Sequence, residues 1–436
     1  MKKKLLISLF ALFSATHTWA DVEINEENFP DEIFRNWVLS QDYGADGVLT
    51  NVEIAGVKDI SVHKLGIRSL KGIEYFTKLV YLFCFSNQLT ELDLSQNTKL
   101  EILSCGDNQL TKLDMSKNTL LNELECNNNQ LTELNVSRNT NLKYLHCNYN
   151  QLTELDLTRI SALIYLHCAS NRLTELNLKR HTSLTILECW ENQLSSLDIS
   201  KNTALTRLMC FDNQLTELNI SKNIALEKLS FSVNQLTAID VSRCTKMKYL
   251  NCGGNLMTEL NVARNTMLEE LRCFSNQLTS LDLQKNTALS YLDCSNNQLT
   301  ALDMSKNTAL TTLVCALNQI KGEAMDALVE SLPTAENGIM AVVYFENEQN
   351  VMTTDQVAVA KAKGWTPLGC TGVNDQGEYN WEEYAGSEED PDGLSLSEEL
   401  RMKNEVSGNI YNLAGQRLGK MQKGINIVGG KKIIAK

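Results

Sequence analysis

Histidine is scarce in this chain. There are 5, and setting aside His17 near the start leaves His63, His146, His167 and His181. No serine or cysteine nucleophile stands with a histidine and an orienting acid in a legible arrangement, and no glycine-rich phosphate loop is present. Without such groups the sequence reads as a non-enzyme. Positive charge is also in deficit: the formal net charge is −13 and the pI is near 5.0. Phosphate backbones need a basic face, so nucleic acid is excluded as a partner. Beyond the first 20 residues, no apolar run approaches the ~18 residues of a membrane-spanning helix.

The start is different. Met1-Lys2-Lys3-Lys4, an apolar run from Leu5 to Phe13 broken only by Ser8, and Thr18-Trp19-Ala20 have the form of a secretory signal peptide over residues 1–20. No cysteine follows the expected cut, which argues against a lipid anchor. The expectation is an exported protein, secreted or held at the outer-membrane surface, and acting as a monomer. At the other end, ten acidic and no basic residues lie between Asp375 and Glu399, while Arg401 to Lys436 carry eight basic residues and one acid, Glu405. This reversal marks an acidic linker over 373–400 and a separate module over 401–436.

What the chain has in quantity is one spacing. Cysteines stand at 84, 105, 126, 147, 168, 189, 210, 252, 273, 294 and 315, every 21 residues, and Phe231 fills the missing slot. A copied unit that cannot bury its apolar residues alone must stack on its neighbours. One copy runs Leu142-x-x-Leu145-x-Cys147-x-x-Asn150, and every such asparagine from Asn87 to Asn318 is present. An asparagine at a buried turn can satisfy backbone groups of its own and the adjacent coil. Neighbouring strands ~4.8 Å apart would bring cysteines within disulfide range, but their Cβ vectors run side by side. Free buried thiols are therefore favoured over bridges, and parallel rows offer no tetrahedral metal site.

The LxxLxCxxN pattern resembles the leucine-rich repeat family from about Leu79 to Ile320. That resemblance implies a solenoid with parallel β ladders over 59–320 and adhesion or host-interaction work, broadly as for internalin-like proteins. The second half of each copy, as in Leu89-x-x-Leu92-x-Leu94-x-x-Asn97, echoes the first and predicts a second parallel ladder back to back with it. A small helical cap over 21–58 is expected from Phe29, Ile33, Phe34, Trp37 and Val38, with Pro30 in the first turn. An α/β cap over 321–372 is expected from the helix patterns ending at Pro333 and Gly364 and the apolar strands after them.

Between Asp42 and Glu53 the chain resembles an EF-hand calcium loop, with Asp42, Asp46 and Glu53 at its first, fifth and twelfth positions and Gly47 at the sixth. Gly44 breaks the pattern at the third position, and Thr50 with Glu53 also reads as a capping box. No cofactor is expected, with calcium at this loop as the alternative reading. The tail, which alternates apolar residues around Gly429-Gly430, suggests a hairpin and resembles the C-terminal sorting domains of Bacteroidetes secretion systems. That resemblance implies export across the outer membrane and retention at the surface; an ordinary small β module is the alternative.

Variation among copies locates the candidate binding surface. The second halves carry a row of bases, Lys117, Arg138, Arg159, Arg180 and Lys201 among them, near acids such as Glu133, Glu154, Glu175 and Glu217. That is a solvated back face. The first halves carry outward aromatics: Tyr81, Phe83 and Phe85 at one end; Tyr144, His146, Tyr149, Tyr165, His167, Trp190 and Phe211 in the middle; Tyr249, Phe274 and Tyr291 beyond. A contiguous aromatic patch marks a docking surface for a protein or glycoprotein, with carbohydrate binding, a spacer role, or rings that merely cover one another as alternatives. Glu125, His146, His167 and Glu188 share one outward row and form a further candidate for a divalent metal.

Overall fold

In a computed structural model, described for residues 21–374 and 379–388 and for the backbone of four strands between 410 and 435, the repeats form one stack of short parallel strands. Residues 1–20 and most of the acidic linker lie outside the described residues. Three-residue strands recur every 21 residues from Tyr81–Phe83 to Thr312–Val314 within one 16-stranded sheet. Pairing is parallel and in register, as in Tyr144↔Tyr165, Leu145↔Leu166 and His146↔His167. The central leucine of each strand and the following cysteine point inward and are fully buried, Leu187 and Cys189 being typical. All thirteen cysteines are free and buried. Phe231, in the empty slot, is as deeply buried as the thiols it replaces.

The front asparagines make the coil-to-coil bonds that their spacing implied. Asn192 donates through Nδ2 to the carbonyls of Cys168 (3.1 Å), Cys189 (3.2 Å) and Trp190 (3.3 Å), and its Oδ1 accepts from Leu173 N–H at 3.0 Å. The residue immediately before each of these asparagines, apart from Gly254, is a non-glycine held in the left-handed region, including Tyr149 (φ 53°) and even β-branched Val233 (φ 53°). Such backbone is costly for these residues and persists because the ladder on both sides holds it.

The second half of each coil does not form the predicted second ladder. Leu94 and its equivalents are buried, yet the segment carries no strand. Its N–H groups are spent locally. Ser116 N–H donates to Asp114 Oδ1 at 2.8 Å, and turns close between Asn118 and Met115 and between Leu121 and Asn118. Coil-to-coil backbone bonding on this side falls to links such as Gln109 N–H to Leu89 C=O. Aspartate and asparagine favour such local turns over a ladder.

Both ends are capped. Helix α1 (Glu32–Leu39) starts after the proline rather than with it: Asp31 is the N-cap, accepting from Phe34 N–H at 3.0 Å, and Pro30 precedes it. Phe29, Phe34 and Val38 are buried, whereas Ile33 stays 43% exposed. Gly72, at φ 105°, leaves room for the Phe29 ring, which a Cβ would meet at 2.3 Å. A short helix α2 (Asn51–Gly56) follows. At the far end, α3 (Glu323–Ser331) and α4 (Thr354–Ala362) alternate with strands Gly338–Val343 and Trp365–Val373, which extend the parallel ladder. A last strand, Tyr379–Glu383, lies within the span expected to be linker and pairs antiparallel with Trp365–Val373. Its acids leave the sheet with a charged edge. In the tail, Gly424–Val428 pairs antiparallel with Lys431–Ala435, flanking Gly429-Gly430 as a hairpin would, within a four-stranded sheet. Among the described residues no helix is long and apolar enough to cross a membrane.

Candidate binding face

Each ladder strand turns its leucine inward and presents its first and third residues outward, because side chains alternate along a strand. The residue after the cysteine adds a third outward row, and the left-handed residue a fourth. All thirteen aromatic and histidine positions named above lie on these rows, and each is partly or fully exposed while its leucine and cysteine neighbours are buried. Tyr81 and Tyr144 are each 37% exposed and Tyr149 45%.

The structure gathers them into separate groups. At the N-terminal end, with Tyr81 and Phe83 nearby on the same coil, Phe85 stacks on His63 (centroids 4.6 Å, planes 7° apart) with the Lys64 ammonium 6.0 Å from its ring. Toward the C-terminal end Tyr249, Arg272 and Tyr291 adjoin in neighbouring strands. The Arg272 guanidinium lies 4.7 Å over Tyr291, with Nε 2.5 Å from Glu270. Phe274 lies flat over Gly253, where a Cβ would meet the ring at 2.5 Å.

The central group is the largest and is continuous. Trp190 and Phe211 stack in parallel (5.1 Å, 6°), Tyr149 meets Trp190 edge-on (5.6 Å, 75°), and His167 lies 6.0 Å from Trp190. His146 meets the Tyr165 ring edge-on at 4.6 Å. Beneath them sits Glu188, only 6% exposed. Its carboxylate takes Arg207 Nη2 at 2.8 Å, the Tyr165 hydroxyl at 3.1 Å and His167 Nδ1 at 3.5 Å. Burial holds His167 below the usual histidine range, against the pull of Glu188. Burial and Glu188 push the Tyr165 hydroxyl up to about 12. A buried carboxylate with three partners rigidifies the rings around it. Arg207 was not singled out from sequence; the signal was a lone arginine in a row otherwise of tyrosines, glutamates and isoleucines with Lys228 and Thr312.

The metal candidates fare differently. Glu53 Oε2 accepts from Thr50 N–H (2.8 Å) and Oγ1 (2.7 Å), completing the capping box that opens α2. Asp46 Oδ1 accepts from Val48 N–H, and Asp42 opens a 3-10 turn. Among the described residues no group of three or more His, Cys, Asp or Glu is placed to share a metal, whether Asp42, Asp46 and Glu53 or Glu125, His146, His167 and Glu188. A straight row with parallel side chains does not converge, and Glu188 is already engaged.

A further aromatic group escaped the sequence reading because it lies outside the 21-residue register. Tyr344, Phe345, Tyr379 and Trp381 close over Ala316 and Cys370 at the end of the ladder, with Tyr344 4.8 Å from Phe345 and 5.3 Å from Tyr379.

A parallel ladder of Leu-x-Cys strands, tied by buried asparagines and offering one uneven face, defines a leucine-rich repeat scaffold. The chain is similar to a domain of InlJ from Listeria monocytogenes described as including a cysteine ladder: 33% identity over 75% of this chain and 83% of that one, TM-score 0.61. It is similar to the internalin InlF of the same organism (27%, covering 68% and 92%, TM-score 0.63) and to a leucine-rich repeat protein of Leptospira interrogans (25%, 65% and 85%, 0.58). No family model and no curated protein matches it. The chain belongs to the bacterial leucine-rich repeat proteins.

Proposed function

We propose that this chain is an exported, surface-displayed leucine-rich repeat protein that docks a protein or glycoprotein through the aromatic face of its ladder, in adhesion or host interaction. The observation that carries this reading is the central cluster: large rings stand outward on a regular sheet, where leaving them in water is unfavourable, and the buried Glu188 carboxylate, paired with half-exposed Arg207, holds Tyr165 and His167 in place. The leader-like start and the tail's resemblance to sorting domains support export and display. Similarity to internalins supports a binding role.

The test is a pull-down of the full chain against host and bacterial surface extracts, followed by cell attachment assays. Trp190→Ala with Phe211→Ala should lower partner binding at least tenfold, since each such ring contributes more than about 1 kcal/mol at a hot spot, with little change in Tm. Binding unchanged by both substitutions would remove the aromatic face as the docking site, and no captured partner at all would leave only a spacer. Binding confined to glycan arrays and lost in Trp190→Ala would replace the protein partner with a carbohydrate.

A further inference from the structure

At one place on the ladder face two cations stand side by side. Arg207 and Lys228 occupy the same outward row of adjoining strands, in register with each other and then with Tyr249. Strand spacing puts their Cα atoms ~4.8 Å apart. In the ladder strands from Tyr81–Phe83 to Thr312–Val314, lysine or arginine occurs once more, at Arg272, which Glu270 and Tyr291 already engage. Between Glu188 and Glu270 neither outward strand row carries an acid. The positions there are Arg207, Lys228 and Tyr249 in one row and Met209, Ser230 and Asn251 in the other. Glu227, just before Lys228, belongs to the adjoining row, where its neighbour Lys248 pairs with Glu269.

Both cations keep binding capacity. Lys228 is exposed, and among the described residues its ammonium has neither an ion pair nor a hydrogen bond. Arg207 is half-exposed, and of the N–H donors on its planar fork Nη2 alone has a partner, Glu188 at 2.8 Å. Its Nε is buried with no partner. Glu188 therefore orients the guanidinium without saturating it. Two cations less one carboxylate leave a single net positive charge. Met209 and Phe211 follow on the coil of Arg207, both half-buried, and Phe211 carries the stack with Trp190.

We propose that Arg207 and Lys228 seat a carboxylate, the side chain of an aspartate or glutamate on a polypeptide partner, with adjoining apolar side chains of that partner against Phe211 and Met209. This rests on the reading of the ladder face as a docking surface and names the chemistry recognised there. A guanidinium fork matches a carboxylate in shape, and the ammonium beside it adds a point charge. One net positive charge suits one carboxylate better than a doubly charged phosphate. A sugar acid would meet the same pair, but little else here is free to bond its hydroxyls. Ser230 is 3% exposed, and Asn251 Oδ1 already accepts from Gly253 N–H at 3.2 Å. On a chain of net charge −13, an isolated cationic spot also fixes the register of an acidic partner segment.

The experiment titrates the full chain at low salt with an end-blocked Phe-Glu-Phe tripeptide, its glutamine and phosphoserine counterparts, and glucuronic acid. General electrostatics on so acidic a chain favours the glutamine peptide, so a preference for glutamate reports a local seat. The glutamate peptide should bind about tenfold more tightly than the glutamine one, as expected for a charge-assisted hydrogen bond. Lys228→Gln, and Arg207→Lys, which keeps a cation on Glu188, should each reduce that preference with Tm unchanged, and Lys228→Glu should reverse it. The back-face pair Lys201→Gln, Lys222→Gln should preserve it. Equal binding of the glutamate and glutamine peptides, or equal losses in front and back variants, overturns the proposal. Tighter binding of the phosphoserine peptide or of glucuronic acid also overturns it, by putting a phosphate or a sugar acid in the seat. If Phe211→Ala weakens both peptides alike and no glutamate preference exists, the docking face stands and the seat falls. If neither peptide binding nor capture of any partner depends on ladder-face residues, the wider reading falls with it.

Discussion

The two halves of each coil are spelled almost alike, yet only the first becomes a strand. Front asparagines and back asparagines show why. Asn192 uses both ends of its amide, donating to three carbonyls and accepting from Leu173 N–H. Asn202, fully buried on the back, donates to Leu178 and His181 carbonyls at 3.1 and 2.8 Å, but its Oδ1 has no hydrogen-bond partner among the described residues. The substitutions within the chain follow this difference. The front position is asparagine in every coil, whereas the back position also admits Ile160, His181 and Cys244. A group that satisfies both coils is irreplaceable; one that half-satisfies them can give way to an apolar side chain.

The comparison is broken or sharpened by substitution. Asn192→Ala should be the most damaging, at about 3–4 kcal/mol, because it strands a buried N–H and loosens three carbonyls. Asn202→Ala should cost about half as much, given its unmatched oxygen. Chemical denaturation of both variants checks this, and equal losses would mean that the two asparagine rows carry equal load. Next come the thiols. Burial pushes Cys126 and Cys210 up to about 12 and Cys189 well above the usual thiol range. They should resist alkylation in the native protein and react only on unfolding, as read by mass spectrometry. Cys189→Ser should cost about 1–3 kcal/mol for a hydroxyl in an apolar row, and Cys189→Ala less.

A smaller effect is expected at His181, which is fully buried in the back asparagine row. Neither ring nitrogen makes a close hydrogen bond, although the carbonyls of Ile160, Leu178 and Leu157 lie near, and burial holds its pKa below 6.5. The unfolded chain then binds the proton more readily than the folded one. Stability should be flat above pH 6.5 and fall as the pH drops below it. His181→Asn should lessen that acid slope in pH-dependent denaturation; an unchanged slope would assign it to other groups. The smallest change belongs to the back surface, where Lys201→Ala should shift stability by no more than about 0.5 kcal/mol.

Legibility in the sequence tracked the register. The inward leucines, the thiol row and the outward aromatics were all readable, since a period of 21 and strand alternation leave each residue one side to face. What broke register was not readable. Asn350 supplies the rung after Asn318, donating to the carbonyls of Cys315 and Val342 at 2.9 Å and accepting from Ile320 N–H at 2.8 Å, from outside the repeat. Glu348 closes the adjacent turn by accepting from the N–H groups of Leu317, Tyr344, Gln349 and Asn350, while burial pushes it up to about 7. The back ladder was over-read because spacing shows which residues are buried but not where N–H groups bond. There, Asx turns took them.

Composition and period alone determined that this chain stacks, which residues line its interior, and that its uneven face carries the rings. Only the folded coil decided which of those rings touch, and that Arg207 turns to Glu188 while Arg272 covers Tyr291. Periodicity is a property of the chain that sterics convert directly into inside and outside. Side-chain pairing across coils depends on distances and rotamers that exist only once neighbours 21 residues apart have been brought together.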